Sequence, residues 1–407
     1  MSKALSEPAG PDIGSTTDDR EPTSPAWMAV FSLAMGVFGL LTAEYLPASL
    51  LTPIAVGLGV SEALAGQAVT VTAVVAMFSG LLTASLTRRV DRRIVLLVFS
   101  VLMVASNLLA ALSSSLTVLL AMRVLLGIAL GGFWSMAAAV AMRLVPAALL
   151  PRALSIIFSG ISVATVVAVP LGSYLGGLYG WRTAFFAAAA LGVLTLAFQF
   201  FTLPSLEPTS PARLGTILDV LRRPGIGVGM LCCTLVHTGQ YALFTYIRPV
   251  LESVMVINVS GLALVLLAFG VANFVGTLVA GWVLERSLRA TLIVMPVLIG
   301  AAGLGLIFLP TGITGQVLLV ILWGMAFGGV PVAWSNWVAH AVPDQAESAG
   351  GMVVVSVQSA IAAGAAVGGL MFSIDGVVGV FGVASALLLF SALLIALRVR
   401  TNPHSAI

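Results

Sequence analysis

The chain has 407 residues, of which 60% are hydrophobic and only 8% are charged. A soluble globular protein of this length could not bury so much apolar surface, so the composition indicates a polytopic membrane protein. The net charge of +3 excludes little. The single lysine, Lys3, excludes an internal phosphate-binding loop, and therefore transport powered by ATP hydrolysis in this chain.

The remaining reactive residue types form no recognisable chemical motif. The three histidines make no zinc motif, and the adjacent Cys232 and Cys233 are unsuited to a disulfide with each other. No nucleophile elbow is present. We therefore expect no metal, no cofactor, no nucleic-acid partner and no enzymatic activity.

Twelve apolar segments follow a polar N-terminal stretch. Residues 1–26 lack an apolar run, so we expect a disordered cytoplasmic tail and no signal peptide. Each segment is near the roughly 20 residues that a membrane-spanning helix requires. Segments 1 to 6 are predicted at Trp27–Leu46, Leu64–Leu86, Ile94–Leu112, Leu116–Ala141, Ala153–Leu178 and Phe185–Leu203. Segments 7 to 12 are predicted at Ile226–Tyr246, Leu262–Val283, Ala290–Leu309, Thr314–Val338, Gly350–Phe372 and Val377–Leu397.

The placement of arginine predicts the orientation. Loops that follow even-numbered segments are basic, except the loop after segment 10, and loops that follow odd-numbered segments hold almost no basic residue. The positive-inside rule then places both chain termini in the cytoplasm. The basic loop residues are Arg88, Arg89, Arg92, Arg93, Arg143, Arg152, Arg213, Arg222, Arg223, Arg286, Arg289, Arg398 and Arg400.

A polar break divides the segments into two sets of six. Residues 204–225 contain four prolines and a short amphipathic stretch, which indicates a cytoplasmic linker with an interfacial helix over 214–221. The predicted fold is thus an all-α membrane protein of two six-helix halves. The predicted divisions are a tail 1–26, an N-terminal half 27–203, the linker 204–225, a C-terminal half 226–400 and a tail 401–407.

The two halves look like repeats of one another. Arg123 and Trp134 in segment 4 have the same spacing as Trp323 and Trp334 in segment 10. Pairs of Val-Pro follow both segments, and a similar glycine pattern occurs in segments 5 and 11. Internal repeats of this kind are typical of secondary transporters, whose substrate sites lie between the repeats.

Segment 4 carries an arginine at the depth of the membrane. Arg123, Gly127 and Gly131 share one helix face. An arginine there costs about 2.5–3.5 kcal/mol on insertion scales, so it should face a polar interior, the alternative being a side chain that snorkels to the interface. The two glycines predict close approach of a neighbouring helix.

These motifs resemble those of the major facilitator superfamily, in its drug/proton antiporter branch. The spacing of Arg123, Gly127 and Gly131 resembles the family's segment 4 motif, and Pro170, Gly172 and Gly176 resemble its segment 5 signature, although Val169 stands where the family usually has Gly. The loop after segment 2 keeps only part of the family's gating motif. The resemblance implies gating or conformational roles for Asp91, Arg92, Arg93, Pro170, Gly172, Gly176, Glu285, Arg286 and Arg289. The alternative is that Arg92 and Arg93 act only as topology charges.

A closer resemblance is to bacterial purine ribonucleoside efflux pumps. The similar stretches are Thr42–Pro53, Ala65–Ala73, Gly131–Trp134, Gly239–Pro249 and Asp344–Glu347. The resemblance implies a monomeric proton antiporter in the bacterial inner membrane that exports nucleosides such as inosine and guanosine. Sugar or multidrug efflux is the alternative within the superfamily. A passive channel and an intramembrane enzyme are rivals from other classes.

Three titratable residues are candidates for proton coupling. Glu44 is the only acidic residue well inside an apolar segment, and a carboxyl there can alternate between charged and neutral forms. We expect Arg123 to compensate its charge in one state, with Arg248 as a competitor. His237 is the next candidate. The plain alternatives are a boundary residue for Glu44 and an internally bonded neutral ring for His237.

Polar and aromatic residues of segments 4, 7 and 10 are the candidates for substrate binding. Aromatic rings suit stacking on a purine, although aromatics in membrane helices more often serve packing or the interface. The candidates are Phe133, Trp134, Gln240, Phe244, Tyr246, Arg248, Trp334 and Asn336.

Overall fold

The computed structural model describes residues 25–208, 222–223, 225–284, 286–342 and 346–399. That part of the chain is helical apart from short connections and contains no strand. It contains eleven helices long and apolar enough to cross a membrane. The last of these, Ala346–Arg398, is interrupted at Asp375 and at Gly376, which has φ 57°, where segments 11 and 12 were predicted to separate. The expectation of an all-α multi-pass membrane protein is therefore confirmed.

The helices follow the predicted segments closely. Segments 1 to 6 are Trp27–Ser49, Glu62–Ala65 with Gln67–Leu86, Arg92–Ala111, Leu116–Leu144, Leu150–Tyr179 and Trp181–Thr202. Segments 7 to 10 are Ile226–Thr245, Val259–Leu284, Leu288–Phe308 and Gly312–Ala341. Short helices Leu51–Leu58 and Ile247–Val254 extend segments 1 and 7. The tail 1–24 and the predicted interfacial helix at 214–221 lie outside the described residues.

Two local features depart from a simple succession of α-helices. Segment 1 continues through Pro47 to Ser49, because neighbouring helices in a membrane bundle can satisfy the backbone groups that a proline frees. Segment 5 changes to a π-helical stretch at Ala164–Ala168, just before Pro170. Such π stretches are rare and occur frequently at functional sites.

We call the two ends of the bundle the proximal end and the distal end. The proximal end carries Trp27, Thr202 and Arg398, and the distal end carries the connections after segments 1, 7 and 11. Segment 2 packs along segment 4, segment 8 along segment 10, and segment 7 along segments 11 and 12. Segment 2 also meets segment 11, and the π-helical and distal parts of segment 5 meet segment 8. These last two contacts join the two sets of six segments.

Backbone-to-backbone contacts at glycine hold two of these helix pairs together. A methyl group added at Gly131 of segment 4 would lie 2.0 Å from the carbonyl oxygen of Ala76 in segment 2. One added at Gly276 of segment 8 would lie 1.9 Å from the carbonyl oxygen of Met325 in segment 10. We call these two contacts the glycine seams. Small residues permit such approach, and it strengthens dispersion contacts between membrane helices.

Candidate transport site

Glu44 lies in the interior of the bundle, on segment 1. The residue is 6% exposed, and its Oε1 atom has no hydrogen-bond partner among the described residues. The side chain of Gln358, on segment 11, lies near the carboxyl group and interacts with it. A buried polar atom without a partner costs about 1–3 kcal/mol, more if it is charged.

Arg123 lies next to Glu44 but bonds elsewhere. It is fully buried, and its Nη2 donates to the carbonyl oxygen of Ala43 at 2.8 Å while its Nε donates to Thr72 Oγ1 at 3.1 Å. The guanidinium lies 5.9 Å from the ring centre of Phe185. Arg123 also interacts electrostatically with the Glu44 carboxyl. Segment 4 thus reaches segment 1 at the level of the buried acid.

A small pocket adjoins Glu44 between segments 1, 2, 7 and 11. The space between its side chains has room for about one water molecule. It is lined by Glu44, Tyr45, Ala48, Val69, Tyr241, Phe244, Thr245 and Ile361. In this conformation, the pocket is far too small for a purine ring.

Tyrosine hydroxyls connect the pocket to segment 5. Tyr45 lies near Tyr241 of segment 7 and near Thr165, which lies in the π-helical stretch, and interacts with both. The ring of Phe244 makes edge contacts with Tyr45 at 5.5 Å and with Tyr241 at 6.4 Å between centroids. Gly270 of segment 8 packs against the Thr165 backbone. The network therefore contacts segments from both sets of six.

Gln240 is fixed by the residue that corresponds to Arg123 in the repeat. Trp323 Nε1 of segment 10 donates to Gln240 Oε1 at 2.7 Å, and both residues are fully buried. The Gln240 Nε2 group has no partner among the described residues. Segment 10 thus reaches segment 7 through Trp323, as segment 4 reaches segment 1 through Arg123.

The other substrate candidates are more dispersed. Phe133 is buried, and its ring lies against Gly36 of segment 1. Trp134 contacts Phe158 of segment 5, and Trp334 contacts Trp337 at 5.5 Å. Asn336 is half-buried, and its carbonyl oxygen bonds with His340 Nδ1. Of the predicted substrate residues, only Phe244 lines the pocket beside Glu44.

His237 lies one turn before Tyr241 on segment 7. Its Nδ1 bonds with the carbonyl oxygen of Cys233 at 2.8 Å, and its ring stacks on Tyr241 with centroids 6.5 Å apart. The residue is 2% exposed. It contacts the tyrosine network from one side.

Arg248 and Tyr246 lie at the distal end rather than deep in the bundle. Arg248 Nη1 donates to the Ser49 carbonyl at 2.9 Å and to Ser173 Oγ at 3.3 Å, while its Nε pairs with Glu252 at 2.8 Å. Thr52 Oγ1 donates to the other Glu252 oxygen at 2.7 Å. We call these five residues the distal latch. Tyr246 donates to the Ala365 carbonyl at 3.3 Å and stacks on Phe372.

The loop after segment 2 binds the stretch that follows segment 6. Asp91 caps segment 3 through the Arg93 amide and accepts from the Leu206 amide and the Ser205 hydroxyl. Burial raises the pKa of this carboxyl, but these hydrogen bonds outweigh burial and hold the pKa below its ordinary value. Arg92 donates to Thr87, and Arg93 donates to the Phe200 carbonyl.

The remaining gating candidates pack closely. A methyl group at Gly172 would lie 2.7 Å from the Leu46 side chain, and one at Gly176 would lie 2.0 Å from that of Leu50. Arg289 donates to the Ala396 carbonyl at 2.7 Å, and Arg286 lies 3.5 Å from the ring centre of Trp282. Pro170 is buried directly after the π-helical stretch, and Glu285 lies outside the described residues.

Sequence reasoning missed several residues of the site. Tyr45, Thr165, Thr245 and Gln358 are neutral residues within apolar segments, and nothing in their spacing distinguishes them from packing residues. Trp323 could have been found, because it occupies the repeat position of Arg123.

Comparison with known proteins identifies the family. The model of the Major Facilitator Superfamily matches residues 27–365 and 230–406. The chain belongs to this superfamily. It is therefore a multi-pass membrane protein of a family of small-molecule transporters.

Similar curated proteins carry a more specific name. The chain is 46% identical over 381 residues to the purine ribonucleoside efflux pump NepI of Salmonella enteritidis, covering 94% of this chain and 96% of that protein. The NepI protein of Salmonella typhimurium gives the same identity and coverage. The crystal structure of a D-xylose-proton symporter matches the fold with a TM-score of 0.75 at 17% identity, covering 94% of this chain and 99% of that one.

Proposed function

We propose that the protein exports purine ribonucleosides, such as inosine and guanosine, in exchange for protons. The observation that carries this proposal is the 46% identity to purine ribonucleoside efflux pumps over 94% of the chain. Sugar or multidrug efflux remains the second candidate, since the superfamily fold serves many substrates.

The chemistry of the bundle interior supports a solute with both aromatic and polar parts. Phe244 and Tyr241 offer ring surfaces, while the Gln240 amide and the Glu44 carboxyl each have a polar atom without a partner among the residues that the structure describes. A nucleoside combines a flat base with ribose hydroxyls, so it can use both kinds of group. We propose that Phe244 and Gln240 contact the substrate when the cavity opens.

We propose Glu44 as the proton carrier, with Arg123 stabilising its charged form. Proton coupling needs a buried group that alternates between two protonation states, and the two residues interact electrostatically. A proton entering at about 100 mV and one pH unit supplies roughly 2.3 and 1.4 kcal/mol. Together these support an outward nucleoside gradient on the order of several hundredfold. His237 is the reserve candidate for this role.

We propose alternating access between halves 27–203 and 226–400, in a monomer in the bacterial inner membrane with both termini cytoplasmic. The distal latch joins segments 1, 5 and 7 across the two halves, which supports a form closed at the distal, outer end. In this scheme the gating residues of the loops after segments 2 and 8 act at the proximal end. Pro170, Gly172 and Gly176 allow segment 5 to move.

The proposal is tested by solute uptake into inverted membrane vesicles. In such vesicles an exporter moves solute into the lumen, so acidifying the lumen should drive accumulation of radiolabelled inosine. Vesicles without the protein, and vesicles treated with a protonophore, serve as controls.

The alternatives give different results in the same assay. Accumulation of a sugar or a cationic drug without inosine would reassign the substrate. A flux of inosine that the protonophore does not change would indicate a passive pathway.

A further inference from the structure

Tyr246 fills a notch between the two halves at the distal end. It lies at the end of segment 7, is fully buried, and stacks on Phe372 of segment 11 with ring centroids 5.3 Å apart. Its hydroxyl donates to the Ala365 carbonyl of the same segment at 3.3 Å. Because both partners belong to segment 11, these contacts hold the tyrosine ring to the C-terminal half.

The opposite side of the notch is Gly66, in the break of segment 2 between Ala65 and Gln67. A methyl group added at Gly66 would overlap the Tyr246 hydroxyl and lie 3.0 Å from the ring carbon that bears it. One added at Gly369 of segment 11 would lie 2.7 Å from the same hydroxyl oxygen. The hydroxyl thus fits between two glycines, one from each half. We call Tyr246, Gly66 and Gly369 the distal plug.

The distal plug lies next to the pocket beside Glu44, on its distal side. Thr245 and Val69 line that pocket. Thr245 immediately precedes Tyr246, and the Val69 amide bonds to the Gly66 carbonyl one turn away. Segment 7 runs toward the distal end and segment 2 runs away from it, so the plug is nearer that end in both segments. Opening between the halves at this level requires Gly66 to separate from Tyr246.

We infer that the distal plug is a gate, in which Tyr246 stays with segment 11 during transport and Gly66 moves away from it when the distal end opens. This inference rests on the alternating access proposed above. It assigns Tyr246 to closing the distal end, in place of the substrate contact expected from the sequence. The distal latch joins this end through hydrogen bonds, whereas the plug joins it through close packing, which is sensitive to the volume of the side chain at Gly66.

The gate is tested by the accessibility of a cysteine on its proximal side. The reporter is Ala48→Cys, in a protein with Cys232 and Cys233 changed to serine, because Ala48 lines the pocket and is 2% exposed. A membrane-impermeant maleimide on the distal side of a vesicle membrane reaches this cysteine only when the distal end opens. Val256→Cys, at a site 99% exposed after the helix Ile247–Val254, identifies the vesicles in which the reagent faces the distal end.

Gly66→Ala should raise the rate of labelling about five- to a hundredfold, because the overlapping methyl group destabilises the closed form and not the open one. Tyr246→Phe removes the overlapping oxygen, so adding it to Gly66→Ala should return the rate most of the way to that of the parent. Tyr246→Phe alone should label at close to the parent rate. Gly80→Ala is the matched control on segment 2, since its methyl group would lie at an ordinary 3.5 Å from the Gly131 carbonyl oxygen.

An unchanged labelling rate in folded Gly66→Ala would overturn the gate, and so would equal rates in Gly66→Ala with and without Tyr246→Phe. Labelling of the parent reporter as fast as Val256→Cys would mean that the plug does not close the pocket. The melting temperature verifies folding. If Gly66→Ala does not fold, Tyr246→Leu vacates the same notch and should raise the rate, and an unchanged rate there also contradicts the gate. Labelling needs no solute, so a failure to transport inosine would reassign the substrate and leave this test intact.

Discussion

At the scale of single residues, Glu44 combines burial with an unsatisfied polar atom, which few positions in the bundle share. It is buried, yet one carboxyl oxygen has no hydrogen-bond partner in the described part of the chain, and the Arg123 guanidinium lies near. If it carries the proton, Glu44→Gln should mimic the protonated carrier. We expect inosine to be taken up down its gradient but not concentrated when the vesicle lumen is acidified.

The companion substitution Arg123→Ala removes the charge beside Glu44 and the bonds to Ala43 and Thr72. It should also abolish coupled efflux, because the carboxyl then stays protonated. Arg182→Ala is a control of equal charge change, since Arg182 bonds to Ser113 at the distal surface. Concentration of inosine against its gradient by Glu44→Gln would assign coupling elsewhere, with His237 examined next.

A second prediction at the scale of single residues concerns Gln240. Its oxygen is held by Trp323, so the side chain has one orientation in which Nε2 is left to donate. Gln240→Ala should lower purine efflux several-fold more than it lowers the amount of protein in the membrane. Transport rate and protein abundance are measured in the same vesicles, and an equal fall in both would make Gln240 a structural residue.

At the scale of helices, the glycine seams should tolerate no side chain. A methyl group at Gly276 would lie 1.9 Å from a backbone oxygen, so Gly276→Ala must push segments 8 and 10 apart. We expect a melting temperature lower by several degrees. A methyl group at Gly281, on the same segment, meets no atom of the described residues within 4 Å, so Gly281→Ala should be neutral or slightly stabilising, because alanine favours helix. Equal melting temperatures would mean that the seam adapts freely.

The sequence predicts where the helices lie better than it predicts which side chains of different helices meet. Segment positions follow from apolar length alone, and Arg123 stands out because a charge in an apolar run is rare. By contrast, the sequence does not indicate the π-helical stretch at Ala164–Ala168, because its residues are ordinary small and β-branched ones. Gln358 and Thr165 meet Glu44 and Tyr45 through contacts between distant segments, which no spacing along one helix encodes.

At the scale of the whole molecule, the distal latch predicts which contacts must break during transport. Thr52 and Glu252 lie 200 positions apart in the chain and are joined by a 2.7 Å hydrogen bond. The test is to replace Thr52 and Glu252 by cysteine, in a protein in which Cys232 and Cys233 are changed to serine. A short reducible thiol cross-linker between them should stop transport, and reduction should restore it.

The single variant Thr52→Cys, treated with the same reagent, controls for loss of the threonine hydroxyl. Inosine should still stabilise the cross-linked protein, because the proximal side stays free to admit it. Transport at the full rate while the cross-link is intact would mean that the distal end does not open between these residues.

The glycine seams also bear on electrical insulation. At Gly131 and Gly276 the backbone oxygen of the neighbouring helix lies so close that no water molecule fits between the two helices at that level. Protons move readily along files of water molecules, and an antiporter that leaked them would short-circuit the gradient it uses. Seams closed by backbone stay closed whatever rotamers the side chains adopt. If the protein exchanges protons as proposed, we expect the close packing at Gly131 and Gly276 to help confine the proton's route to groups that can be coupled to the solute.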